Sequence, residues 1–250
     1  KLYSGFNGQV LRTSLRTAEM IKYARNAYLA KDVSFANEVA NVCSAFSIDY
    51  LDVKKGMEMD SRIGEGSFLS AGLGYGGSCF KKDVSALIAK AENQGVEPKL
   101  LKVTEEVNEL QPSVVLNLAQ KALGNLNGKT IAVLGLTFKE GTDDIRESRA
   151  IKVVELLLAE KASVTVFDPK GMDNARKVFG GKVDYSKTTE EAVNKCDLCI
   201  IATEWPEFRN PNLFYEQKDL IVIDSRRILD WKSLPSTIRY YGVGFPILNN

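Results

Sequence analysis

The 250-residue sequence contains no histidine. That absence excludes a Ser-His-Asp triad, a Cys-His pair and any histidine-ligated metal within the chain. Proton transfers are left to Lys, Asp, Glu or Tyr. Cysteine is scarce: four residues do not build a disulfide scaffold, and such usage fits a reducing cytoplasm. No apolar run approaches a membrane span, and no charged-then-apolar leader precedes a cleavage site. Neither sign of charge dominates, and a net +1 argues against nucleic acid or a membrane surface as the main partner. The chain opens on Lys-Leu-Tyr without Met, as expected for a piece of something longer.

Glycine, by contrast, is concentrated where it matters. Residues 72, 74, 76 and 77 are all Gly, which breaks regular structure and lets backbone approach a ligand closely. Behind them, Lys82 to Glu92 reads as a helix with Val84, Leu87, Ile88 and Ala91 on one side. Cys79 then falls in that helix's first turn, at the positive dipole end that stabilises a thiolate. Lys82 adds a nearby cation, and Asp83, four residues on, shares the cysteine's face. A lone cysteine is more often buried structure. Glycines, Lys82 and Asp83 in register reverse that expectation. The other thiols read as core: Cys43 in a helical pattern, and Cys196 and Cys199 beside the apolar run Leu198–Ala202, with no second pair to complete a zinc site.

Two halves differ in pattern, divided as 1–125 and 126–250. Between Gln9 and Lys55 there is neither Gly nor Pro. Ser14 to Phe46 carries apolar residues at helical spacing (Ile21, Ala24, Tyr28, Phe35, Val39, Val42, Phe46), which predicts a helix of roughly 50 Å. So long a helix is a candidate dimer spine. A second helical block, Lys82 to Leu123, is expected to break near Gly95–Lys99 and near Gln111–Pro112. From Thr130 the pattern alternates. Predicted strands are Thr130–Phe138, Val164–Phe167, Lys182–Tyr185, Leu198–Thr203 and Leu220–Asp224. Predicted helices are Ser148–Lys161, Gly171–Phe179 and Thr188–Asn194. The fold class is therefore α/β: a mostly helical half, then a Rossmann-like, doubly wound parallel sheet. The first strand's turn lacks the G-x-G-x-x-G spacing of a dinucleotide fingerprint. Lys139 and Arg226, at strand ends, are placed to meet phosphates or a base, although loop-end charges are more often simply solvated.

Three segments, Gly74–Asp83, Ala18–Asn26 and Gly135–Ser148, resemble the UDP-glucose/GDP-mannose dehydrogenase family, in the family's order and across essentially the whole chain. The resemblance implies the central and C-terminal domains of such an enzyme, with the main NAD site on a preceding domain. It implies oxidation of a nucleotide-sugar's C6 alcohol to a carboxylate by two hydride transfers to NAD, through a thiohemiacetal and a thioester. It further implies that Cys79 is the nucleophile, that Lys22 and Asn26 stabilise the oxyanion, and that Asp83 orders the water. Phe68, Leu69 and Gly74 would clasp the substrate. Phe138, Lys139 and Arg226 would meet its nucleotide, and Arg62 would reach the sugar across a homodimer. Lys82 and Arg146 would touch NAD, and no metal is implied. Lys81 stands where many relatives have Pro. Ser78 and Phe80 favour the UDP-glucose branch over GDP-mannose or UDP-N-acetylhexosamine relatives. The competing reading is a non-catalytic nucleotide-binding and dimerisation module.

Overall fold

A computed structural model describes residue 5 and residues 7–246. The long helix forms as its spacing predicts: α1 spans Leu15–Ala45, with Ser14 as N-cap accepting from the Thr17 N–H. Its buried residues are small or polar (Ala27, Ala30, Ser34, Ala36, Asn37, Ala40), so neighbouring helices approach closely. Its large apolar residues Ile21, Tyr28, Phe35 and Val42 face outward instead. Three helices follow: α2 (Tyr50–Glu58), α3 (Phe80–Glu92) and α4 (Lys99–Leu123). The short α2, which contains Gly56, left no clear signal in the sequence.

The expected break at Gln111–Pro112 does not occur; α4 runs through Pro112. A proline removes one hydrogen bond and crowds the carbonyl four residues back, at a cost of about 3 kcal/mol in an isolated helix. Here α4 is anchored on both sides of that point. Val115 and Ala119 are fully buried in the main core, and Thr104, Asn108 and Gln111 are buried against the preceding segments.

The second half is a six-stranded parallel sheet of order β3-β2-β1-β4-β5-β6. Its strands are β1 (Thr130–Leu134), β2 (Ser163–Phe167), β3 (Asp184–Tyr185), β4 (Leu198–Ile201), β5 (Ile221–Asp224) and β6 (Arg239–Gly242). Helices α5 (Arg149–Ala159), α6 (Met172–Phe179) and α7 (Thr189–Val193) connect them. β1 is shorter than predicted because the N–H groups of Leu136 and Thr137 turn to the Asp168 carboxylate, at 2.7 and 3.0 Å, instead of continuing the ladder. β6 lies outside the predicted strands because Arg-Tyr-Tyr-Gly is short and not an apolar run.

Both faces of the sheet are apolar. Ile131 and Val133 of β1 join one core, and Ala132 and Leu134 join the other. The first core continues without interruption into α1, α2 and α4. The chain reverses direction across the sheet between β1 and β4, and ligands of such sheets bind outside the carboxyl ends at that switch point. Register pairs Leu134 with Ile201 and Ile201 with Asp224, so the segments beginning at Gly135, Ala202 and Ser225 emerge at one level.

Candidate active site

The glycine loop lies between the helices and this switch point. A Cβ added at Gly77 would stand 2.9 Å from the ring of Phe138, so only a glycine lets the loop rest on that ring. The Gly77 N–H donates to the Arg146 carbonyl at 2.9 Å, which ties the loop to the segment leading into α5. Cys79 is the N-cap of α3 and is exposed. One turn on, the Asp83 N–H donates to the Cys79 carbonyl at 3.0 Å.

Asp83 is fully buried, an expensive place for a carboxylate unless it is paired. Asn26 donates to it at 2.6 Å and Lys22 at 3.1 Å, both from α1, and Lys82 also contacts it. Burial pushes the Asp83 carboxyl up, but hydrogen bonds from Lys82, Asn26 and Lys22 outweigh it and hold the group below the usual carboxylate range. The same contact raises Lys82. Lys22 keeps 54% of its side chain exposed, so its ammonium can turn from Asp83 toward a ligand. Thus Lys22, Asn26, Lys82 and Asp83 form one cluster beside Cys79.

A cavity of about 370 Å³ is lined by Phe68, Gly74, Phe80, Phe138, Lys139 and Arg226, among others; neither Cys79 nor the Asp83 cluster lines it, and Phe80, the residue after Cys79, connects the two. Five of the seven expected substrate residues meet in the cavity. Leu69 does not line it; it is buried behind, and its carbonyl accepts from the Tyr50 hydroxyl at 2.9 Å. Arg62 stands apart, exposed and paired with Asp60. Arg226 is half-buried, with Nε donating to the Ala202 carbonyl at 2.9 Å. Burial pulls its guanidinium pKa down, against Glu204 and Asp224. A second cavity of about 350 Å³ adjoins across Ser70, Glu204 and Arg226, and carries Lys54, Arg209 and Arg227. None of those three is marked out in the sequence, because cations scattered over the chain converge only in the fold.

Arg146 is paired with Asp144 at 2.7 Å, and its side chain is 70% exposed. Lys82, three residues on from Cys79, is likewise largely exposed, so both cations face solvent. Lys81 bridges Glu109 and Glu147, each at 2.9 Å, and Arg149 joins the same two carboxylates at 2.9 and 3.1 Å. This network joins α3, α4 and the start of α5, so Lys81 anchors the helix start that carries Cys79. Among the described residues, no group of three or more His, Cys, Asp or Glu could hold a metal ion. No described helix is long and apolar enough to cross a membrane.

Residues 16–110 match the model of the UDP-glucose/GDP-mannose dehydrogenase family, central domain, and residues 132–231 match that family's UDP binding domain. The chain is 46% identical over 235 residues to the UDP-glucose 6-dehydrogenase AglM of Haloferax volcanii, covering 91% of this chain and 54% of that protein. It is 41% identical over 254 residues to a UDP-glucose 6-dehydrogenase of Rickettsia conorii, covering 99% of this chain and 59% of the relative. The chain therefore spans little more than half the length of these relatives. Among solved structures, a UDP-glucose dehydrogenase from Pyrobaculum islandicum superposes with a TM-score of 0.89 at 37% identity, covering 98% of this chain and 55% of that one. A UDP-D-ManNAc dehydrogenase from Pyrococcus horikoshii gives 0.80 at 27%, covering 95% and 54%.

Proposed function

Since the chain belongs to the UDP-glucose/GDP-mannose dehydrogenase family, we propose that it supplies the thiol-bearing and UDP-binding parts of an NAD-dependent UDP-glucose 6-dehydrogenase. The observation that carries this reading is the Asp83 cluster: a buried carboxylate bound by Lys22, Asn26 and Lys82, one turn from an exposed cysteine that Phe80 connects to a cavity with Lys139 and Arg226. In this reading residues 1–125 act as the central domain and 126–250 as the nucleotide-binding domain. The protein works in the cytoplasm as a homodimer joined along α1, whose outward apolar residues favour a symmetric partner.

The proposed chemistry follows from the side chains. The diphosphate meets Lys139 and Arg226, and the nucleoside extends past Arg226 toward the second cavity, which directs the hexose to Cys79. Lys22 and Asn26 stabilise the C6 oxygen as its proton leaves, and an alkoxide-like centre readily gives up hydride. NAD, when bound, supplies the hydride acceptor, a fresh molecule for each of the two transfers; Lys82 and Arg146 are the residues of this chain that would hold it. The Cys79 thiolate adds to the C6 aldehyde, and Lys22 and Asn26 hold the oxyanion of the resulting thiohemiacetal. After the second hydride leaves, Asp83 orders a water that attacks the thioester. The C6–S bond breaks, the thiol is restored, and the carboxylate product departs.

The test pairs calorimetry with an NADH absorbance assay. These 250 residues alone are expected to bind UDP or UDP-glucose weakly and to produce no NADH. Near-attack geometry, worth roughly 7–11 kcal/mol, needs a domain that holds the nicotinamide against C6. Joined to such a domain, the chain is expected to oxidise UDP-glucose in preference to GDP-mannose or UDP-N-acetylhexosamines. Preference for GDP-mannose, or robust turnover by the 250 residues alone, would overturn the proposal.

A further inference from the structure

The loop that delivers Cys79 has no regular structure, yet much of its backbone is buried and needs hydrogen-bond partners. Amide side chains provide them. On α1, Asn37 Oδ1 accepts from the Gly72 N–H at 2.7 Å; on α4, Gln111 Nε2 donates to the Gly72 carbonyl at 2.8 Å. Asn108, also on α4, accepts from the Tyr75 N–H at 2.7 Å and donates to the Tyr75 carbonyl at 3.1 Å. One side chain thus makes the two bonds that a residue on a neighbouring strand would make.

The contact is close and leaves no slack. Asn108 is 1% exposed. Gly74 has φ +97°, and a Cβ there would stand 2.3 Å from Asn108 Oδ1 and 3.4 Å from the Asn108 carbonyl. Pro112 lies four residues further along α4 and has no N–H for that carbonyl. The helix therefore turns to the loop both an amide and a carbonyl that Pro112 cannot satisfy. Tyr75 in turn lines the cavity and packs edge-on against Phe80, the residue after Cys79, at 5.7 Å between ring centroids.

We infer that Asn108 is a positioning residue for the Cys79 loop. It lines neither cavity described above and bonds to no member of the Asp83 cluster. It acts through Tyr75, fixing one wall of the cavity and the backbone that leads to the thiol. The inference rests on the proposed role of Cys79 for its consequence, but its test reads the loop directly.

Hydrogen exchange at residues 72–77, UDP-glucose affinity and alkylation of each cysteine are to be compared in the wild type, Asn108→Ala and Asn108→Asp. Loss of this bond pair is expected to speed exchange in the loop by at least about tenfold, the effect of one net buried hydrogen bond being the lower bound for two. Affinity should weaken by a similar factor, while Cys43 and Cys199 stay as protected as in the wild type. If Asn108→Ala does not fold, Asn108→Asp carries the test, because its protonated acid can again donate to the Tyr75 carbonyl. Loop protection and affinity, relative to the wild type at each pH, should then recover as pH falls. Unchanged exchange in a folded variant would overturn the inference. So would Cys43 and Cys199 labelling that rises in step with loop exchange, which would mean general loosening. If the wild type binds no UDP-glucose, the functional proposal fails while the exchange comparison still decides this one.

Discussion

Asp83 and Asp224 are both fully buried carboxylates, yet their pKa values are displaced in opposite directions. Asp224 sits at the end of β5, where the N–H groups of Arg226 and Leu229 reach it at 3.0 and 2.8 Å and the Tyr240 hydroxyl at 3.3 Å. Burial dominates there and raises its pKa despite those bonds and Arg227. Asp83 is bound by side chains instead, two of them ammonium groups that remain more than half exposed. The first arrangement is held chiefly by backbone N–H groups, which no side-chain rotation can release. The second can be rearranged by rotating a lysine, as a reaction that shuttles protons requires.

Substituting each acid should break the comparison open. Asp224→Ala strands two N–H groups and a hydroxyl in the core, which should cost about 3–9 kcal/mol at roughly 1–3 kcal/mol each. Urea unfolding would measure it. Asp83→Asn should cost less than about 1 kcal/mol in the same experiment, since Lys22 and Lys82 can return to water. The same variant in a full-length enzyme should lower UDP-glucose turnover by at least about 100-fold, within the range for general acid–base groups. A stability loss for Asp83→Asn as large as that of Asp224→Ala would erase the distinction.

The four thiols sharpen the contrast between site and core. Cys79 is exposed. Burial raises Cys43 and Cys199 and pushes Cys196 up to about 11. Brief alkylation at neutral pH, mapped by mass spectrometry, should label Cys79 first. Labelling of Cys196 ahead of it would contradict this.

The smallest expected effect is on pH dependence, and its sign differs between the two acids. The folded pKa of Asp83 is depressed, so its contribution is present above the unfolded value, about 3.9, and is lost as pH falls through the folded one. The folded pKa of Asp224 is raised, so its contribution is full below about 3.9 and is lost as pH rises through the folded value. The deficit of Asp83→Asn should therefore be larger at pH 7 than at pH 3. That of Asp224→Asn should be larger at pH 3 than at pH 7. Unfolding curves at the two pH values would show parallel deficits if the assignment were wrong.

Part of the Asp83 cluster was legible from local spacing, with Cys79, Lys82 and Asp83 together at the start of α3; Lys22 and Asn26, 61 and 57 residues from Asp83, came only from the family resemblance. Strands with continuous apolar runs were likewise legible from local pattern. The polar contacts that hold the loop were not. Asn108 and Tyr75 are separated by 33 residues, and Gln111 and Gly72 by 39. The only local trace was Thr104, Asn108 and Gln111 recurring at inward helical positions among apolar neighbours. Pro112 misled because the rule against proline describes a helix in isolation, whereas tertiary contacts hold α4 on either side of it.

Along the outer face of α1, Ile21, Tyr28, Phe35 and Val42 recur every seven residues and all four are exposed. A helix of 3.6 residues per turn does not keep step with that interval. The line of side chains slips by about 20° per heptad, or roughly 60° between Ile21 and Val42. It is therefore a slowly winding stripe rather than a straight seam. A helix that covers all four must wind with it in a left-handed supercoil, whereas a straight rod would meet little more than the middle pair, Tyr28 and Phe35.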